Sequence, residues 1–267
     1  MHPYVFQTNF YSLRWENVAV ITGIAAGLWL AYRRAAPKGR AYQDMLLDLA
    51  LWLVLAGVAG ARVWDVAFTW ETYAANPWEA LALWHGGMSI QGSVLGGLLA
   101  ALLFARRRQL RVWELLDILA PGVILGQAIG RIGCLLNGDA FSRPIAEFPW
   151  LPTGLGVVYA PSTPAWHAFG ATPLVPAEGF EMVADFLILA VLLLWRPRRE
   201  ATGRLVLTYG LLYSAARFGL EFFRADSLRL GGLKVAQLLS LSTIALCTVF
   251  LVIRYRGASS EQTNAAG

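Results

Sequence analysis

The sequence predicts an all-α polytopic membrane protein. It should have about seven transmembrane helices and a small extracytoplasmic head between the fourth and fifth. Three observations predict it. Of 267 residues, 57% are hydrophobic and only 15% are Asp, Glu, Lys or Arg, against about 25% charged in a soluble domain. Seven apolar stretches approach the ~20 residues that a spanning helix needs. Lys and Arg gather after every second stretch. A water-soluble protein of this size has no core large enough to hide so much apolar surface, and a bilayer supplies the missing solvent.

The stretches fall at residues 16–32, 44–67, 88–104, 115–136, 180–195, 205–223 and 235–253. None alternates apolar with polar, which argues against a barrel. Arg33, Arg34, Lys38 and Arg40 follow the first stretch. Arg106, Arg107, Arg108 and Arg111 follow the third. Arg196, Arg198, Arg199 and Arg204 follow the fifth, and Arg254 and Arg256 follow the seventh. Basic residues stay cytoplasmic, so the N-terminus is expected outside and the C-terminus inside. These loops also account for the net charge of +5 without a nucleic-acid partner.

One membrane-embedded domain is expected over residues 1–256. Its head, about 138–179, is rich in Pro, Gly and aromatics, and Gly154–Tyr159 reads there as a short strand. The polar tail, 257–267, reads as disordered and cytoplasmic. The first residues lack a basic region followed by an apolar core, so no cleavable signal peptide is expected. No internal repeat is visible. Cys134 and Cys247 lie in apolar segments and are too few for a disulfide framework.

The chemistry lies in charges placed where lipid should be. Arg62, Arg131 and Arg217 fall inside apolar stretches, and each would cost about 2.5–3.5 kcal/mol in lipid. Buried ion pairs that lock helices, or a pocket for an anion, would satisfy them. Tyr213, Arg217, Glu221 and Arg224 follow at steps of 4, 4 and 3, which places them on one helical face. Glu221 is positioned to orient Arg217 or Arg224. Gln127, Arg131 and Cys134 share another face, with Gly126, Gly130 and Gly133 permitting close helix approach. Asn137, Asp139 and Arg143 follow where that helix should meet the outer surface. Cys134 reads as a small core residue or as a reactive thiol. Gly86, Gly87, Met88, Ser89, Ile90, Gln91 and Gly92 form a Gly-rich run after His85, suited to backbone approach to a ligand or to a re-entrant bend.

Together these fragments resemble the prolipoprotein diacylglyceryl transferase family of bacteria. Gly86–Gly92 matches its GGMS-x-x-G segment. Asp117, Pro121, Gly126, Gly130, Arg131, Gly133, Asn137 and Gly138 match a second segment. Tyr213, Arg217, Glu221 and Arg224 match a third, and Gly232, Gln237 and Ser240 a fourth. The resemblance runs in order over most of the chain.

It implies transfer of the diacylglyceryl group of phosphatidylglycerol to the lipobox cysteine of a prolipoprotein, with glycerol phosphate leaving. It also implies work in the bacterial inner membrane without metal or cofactor. Carried over, Arg131 and Arg217 hold the phosphate, Glu221 orients Arg217, and Gln91 supplies a hydrogen bond. Asn137, Asp139, Arg143, Tyr213, Arg224, Gly87, Ser89, Gly92 and Glu181 line the substrate site.

The chain departs from the family where His is usual at Gln91, Asn at Cys134 and Glu at Asp139. It departs again at Val175 and Phe180, where the family has His and Tyr. Gln accepts no proton at neutral pH. A diverged member with another acceptor or lipid is therefore a second reading, and a membrane carrier for a small anion a third.

Overall fold

The computed structural model describes residues 3–7, 12–83, 87–195, 202–225, 227, 229–230 and 232–264. The expected spans each fall mostly on a helix. They correspond to α1 (Trp15–Ala35), α2 (Arg40–Phe68), α4 (Ile90–Arg107), α5 (Val112–Asn137), α7 (Ala177–Leu194), α8 (Arg204–Leu220) and α9 (Val235–Asn264). Two short helices, α3 (Trp70–Tyr73) and α6 (Pro164–Phe169), lie in connections. Two antiparallel ribbons complete the described chain: β1 (Tyr4–Gln7) with β2 (Ser12–Arg14), and β3 (Arg229–Leu230) with β4 (Leu233–Lys234).

Helices α2, α5 and the Val235–Ile253 part of α9 are each long and apolar enough to cross a membrane. The chain is thus an all-helical membrane protein. Its polarity is inverted relative to a soluble fold. Leu194 is 83% exposed and Ile21 67%, while Glu178 and Glu221 are 0% and 1% exposed. Lipid is the better solvent for the first pair and protein for the second.

Residues 1–30 with 119–267 form one compact unit and residues 31–118 another. In the first, α1 and α5 meet through glycines. A Cβ on Gly23 would stand 2.7 Å from the Gly126 carbonyl oxygen, and one on Gly27 2.5 Å from that of Gly122. Ile124 of α5, Ile188, Leu189 and Leu192 of α7 and Leu205 of α8 form its apolar core. Beside it, Tyr159, Ala165 and Leu174 make a smaller core within residues 138–176. In the second unit α2 packs along α4, again through glycines, with Gly60 against Gly92 and Gly96.

Three expectations change. Gly154–Tyr159 is not a strand: Thr153–Leu155 is a 3-10 turn after Pro152, and only Val157 makes a single antiparallel bridge, to Leu174. Helix α8 stops at Leu220, and Glu221–Phe223 form a 3-10 turn. Helix α9 continues to Asn264 through residues that composition assigned to a disordered tail, since each residue added to an existing helix gains a hydrogen bond. His85 and Gly86, and the basic residues Arg196, Arg198 and Arg199, lie outside the described residues.

Candidate functional site

Helix α7 carries Glu178, Glu181 and Asp185, all buried. Steps of 3 and 4 place them on one stripe. The other side, with Leu187 and Leu194, is exposed. Of the three, only Glu181 is among the residues the family resemblance marks. The signal that could have found Glu178 and Asp185 is the same as for the arginines: ionisable residues at helical spacing in an apolar run.

Glu181 is the hub. Its Oε2 lies 2.9 Å from Arg131 Nη1, and its Oε1 pairs with Arg217 Nη1. Arg224 Nη1 stands 3.7 Å away. Arg217 is bivalent: its Nη2 reaches Glu221 Oε2 at 3.0 Å. Three helices, α5, α7 and α8, therefore converge on one carboxylate. Each guanidinium has five donors, so one carboxylate does not saturate the set.

Arg224 reaches the hub by a different route from the expected helical face. Past Leu220 the chain leaves α8, and Arg224 pairs with Ser142 in an antiparallel bridge. Arg143 N–H donates to the Phe223 carbonyl at 2.9 Å, and Ala225 N–H to that of Phe141. Capture by residues 141–143 ends the helix, so the 3.6-residue spacing no longer governs the last step. Lys234 satisfies the carbonyls released there. Its Nζ donates to Glu221 O and, at 2.7 Å, to Arg224 O. Nothing in the sequence around Lys234 marks it for this role. Ser227 Oγ donates to Glu221 Oε1, so Glu221 is held from both sides.

At the end of α5, Asn137 is buried and bonded twice. Its Nδ2 donates to Glu16 Oε2 at 2.9 Å, and its Oδ1 accepts from Arg14 at 3.4 Å. Gly133 makes this possible: a Cβ there would stand 2.8 Å from Glu16 Cα. Asp139 is exposed. Arg143 does not join the cluster. Its guanidinium pairs with Glu147 at 2.7 Å through Nε and stacks over Phe148, 4.8 Å from the ring centre. Tyr213 packs against the apolar core, 5.8 Å from the ring of Tyr209, whose hydroxyl donates to Gln127 at 2.7 Å. Tyr159 donates to Glu178 at 3.4 Å. Burial, with that carboxylate beside it, pushes the phenol above its ordinary value, so it remains a neutral donor.

The Gly-rich run lies in the other unit and is explained there largely by packing. Gly87 has a φ of +72°, and a Cβ on it would strike Tyr73 Oη, Arg62 Nη1 and Asp65 Oδ2. Gly92 touches Gly60 and Trp64. Ser89 N–H donates to Ala61 O, and Ser89 Oγ donates to Gln91 Oε1 at 2.6 Å. Gln91 is exposed. Arg62, whose role sequence left open, is a clasp. Buried, it donates to the carbonyls of Glu79, Ala80, Ala82 and Gly87 and to Tyr73 Oη.

These features define a class: a helical membrane protein whose partly buried arginines share buried carboxylates supplied by neighbouring helices. The family follows by comparison. Residues 3–253 match the family described as prolipoprotein diacylglyceryl transferase, and the chain belongs to it. Among similar proteins, the phosphatidylglycerol–prolipoprotein diacylglyceryl transferase of Gloeobacter violaceus is 37% identical over 252 residues, covering 93% of this chain and 91% of the relative. That of Synechococcus elongatus is 36% identical, covering 95% and 87%. That of Bacillus mycoides is 33% identical, covering 96% and 93%.

Proposed function

We propose that this chain transfers the diacylglyceryl group of phosphatidylglycerol to the lipobox cysteine thiol of prolipoproteins, releasing glycerol phosphate. It does so as a single seven-span domain of the bacterial inner membrane. The N-terminus and the head lie outside, and the C-terminal tail is cytoplasmic. The observation that carries the reading is the convergence of Arg131 and Arg217 on one buried carboxylate. Two guanidinium forks around a position already suited to an oxyanion are what a phosphodiester requires.

In the reaction the acceptor thiolate attacks the diacylglyceryl carbon. The carbon–oxygen bond to phosphate breaks, and glycerol phosphate departs with one more negative charge. Arg131 and Arg217 hold that growing charge, a contribution of about 2.7–4 kcal/mol per donor in comparable sites. Glu221 fixes Arg217 through its 3.0 Å ion pair, while Glu181 and Arg224 shape the anion position. Asn137, Asp139 and Tyr213 border the site, and Gln91, Ser89, Gly87 and Gly92 carry a substrate role by their match to the family's GGMS-x-x-G segment. Gln91 takes no proton. A thiol with a pKa near 8.5 is already a few per cent thiolate at pH 7, and the transfer proceeds from that fraction.

The test is complementation of a bacterium depleted of its own transferase, with mass spectrometry of a lipobox peptide. A thioether-linked diacylglyceryl adduct is expected. No adduct from well-expressed protein would sink the reading. Gln91 motivates the second reading, a diverged acceptor or lipid. Activity on thiols lacking a lipobox, or with lipids other than phosphatidylglycerol, would favour it.

A further inference from the structure

Around the Glu181 hub stand four carboxylates, Glu178, Glu181, Asp185 and Glu221. With them stand four cations: Arg131, Arg217, Arg224 and Lys234. Fully ionised, these eight groups sum to zero. Three of the carboxylates are engaged: Glu181 and Glu221 in ion pairs, Glu178 by Tyr159. Asp185 differs. It is 2% exposed. Among the described residues Glu178 also has an unpartnered buried oxygen, Oε1, and no cation at ion-pair distance, but its Oε2 accepts from Tyr159; Asp185 has neither a hydrogen bond nor an ion pair.

The groups that face it are known from each side. Glu181 lies one turn earlier on α7. Arg131 faces it from α5, and Arg217 and Tyr209 from α8. Gln127 of α5 holds the Tyr209 hydroxyl.

A phosphodiester entering a neutral, largely buried cluster brings one negative charge with no cation left to answer it. Moving an unbalanced charge into such a place is unfavourable. A proton arriving with it restores neutrality, and the carboxylate best suited to take it is the one without a bond to lose. We propose that Asp185 takes up a proton when the anionic lipid docks on Arg131 and Arg217, so that lipid and proton bind together. Asp185 is then a positioning residue. It does not touch the lipid; once neutral, it releases the attraction of Arg131 and Arg217 toward the phosphate. This rests on the phosphate-holding role given above to those arginines.

The sign follows from linkage. Where Asp185 is ionised in the free protein, binding consumes a proton, so affinity falls as pH rises. Where it is already protonated, binding is independent of pH.

The test is calorimetric titration of the full-length protein in detergent with a short-chain phosphatidylglycerol. It is run between about pH 5 and 9 in two buffers of different ionisation enthalpy. The phosphodiester remains monoanionic throughout, so the protein alone titrates. The expected result is uptake approaching one proton per lipid in the pH window where Asp185 is ionised in the free protein and protonated in the complex, with Kd rising there by up to about tenfold per pH unit. Asp185→Asn should bind with a flat pH profile, and Asp185→Glu should restore the slope.

Lipid binding by the unmodified protein without proton uptake overturns the proposal and leaves the phosphate site standing. So does a wild-type slope in Asp185→Asn. Absence of lipid binding to the unmodified protein at every pH overturns the phosphate site itself, and this inference with it. The two-buffer comparison needs no variant, so it decides even if Asp185→Asn fails to fold.

Discussion

Replacing Arg217 with Lys keeps the charge and removes the fork. Arg217 uses Nη1 for Glu181 and Nη2 for Glu221, the latter at 3.0 Å. A lysine ammonium is a single point on a flexible stem, and it cannot hold both carboxylates while also facing a phosphate. One charge-assisted hydrogen bond is lost, worth about 1.5–3 kcal/mol. If Glu221, 1% exposed, is left without its cation, the cost approaches the ~3–5 kcal/mol of a broken buried pair. The same fork is proposed to carry charge in the transition state, where losing a donor costs about 10²–10³ in rate. The assay is transfer from phosphatidylglycerol to a lipobox peptide in micelles, with thermal unfolding followed in the same micelles. Arg217→Lys should lower kcat/KM by about 100- to 1000-fold and lower the unfolding temperature measurably. Activity within tenfold of the unmodified enzyme would refute the argument that the bivalent guanidinium is required. Arg143→Lys is the control: its partner Glu147 is exposed, such pairs contribute about 0–1 kcal/mol, and both readouts should barely move.

Gly27→Ala places a Cβ 2.5 Å from the Gly122 carbonyl and should destabilise the protein by about 1–3 kcal/mol. Gly97→Ala, with no described neighbour within 4 Å, should be neutral or slightly stabilising; equal unfolding temperatures for the two would contradict the close α1–α5 contact. Arg62→Met leaves the buried Ala82 carbonyl without this donor, at about 1–3 kcal/mol, and takes the same donor from three part-buried carbonyls, so folded yield and unfolding temperature should fall; unchanged values would show that Arg62 is not a clasp. Gln91→His adds a proton acceptor at an exposed position. It should raise the transfer rate by up to about thirtyfold near neutral pH, the reciprocal of the few per cent of thiolate present without a base, whereas an unchanged rate would place proton removal elsewhere.

Much of the site is legible in the order of the residues. Arg131 and Arg217 stand out because a charge in an apolar run is costly, and that cost is visible in composition alone. Glu221 follows from the four-residue step, and its ion pair with Arg217 obeys that step. Arg224 does not obey its own step, because the helix ends at Leu220 and the chain is captured by residues 141–143. Helical periodicity cannot report a helix end decided by a distant segment. Arg62 remained ambiguous for a related reason: its acceptors are backbone carbonyls, which leave no trace in residue identity.

What the sequence determined by itself is the class of solvent and the positions of the helices. Both depend on local quantities, transfer free energy and hydrogen bonding within a segment. It also marked which residues must find partners. Only the tertiary structure decided which partners they found. It made Glu181 of α7 the shared counter-ion of Arg131, Arg217 and Arg224. It set Arg143 on Glu147 instead, and it left Asp185 buried without an ion pair among the described residues. Coulomb attraction falls with distance and has no sequence register, so the choice among several buried charges of each sign is made by how the helices pack.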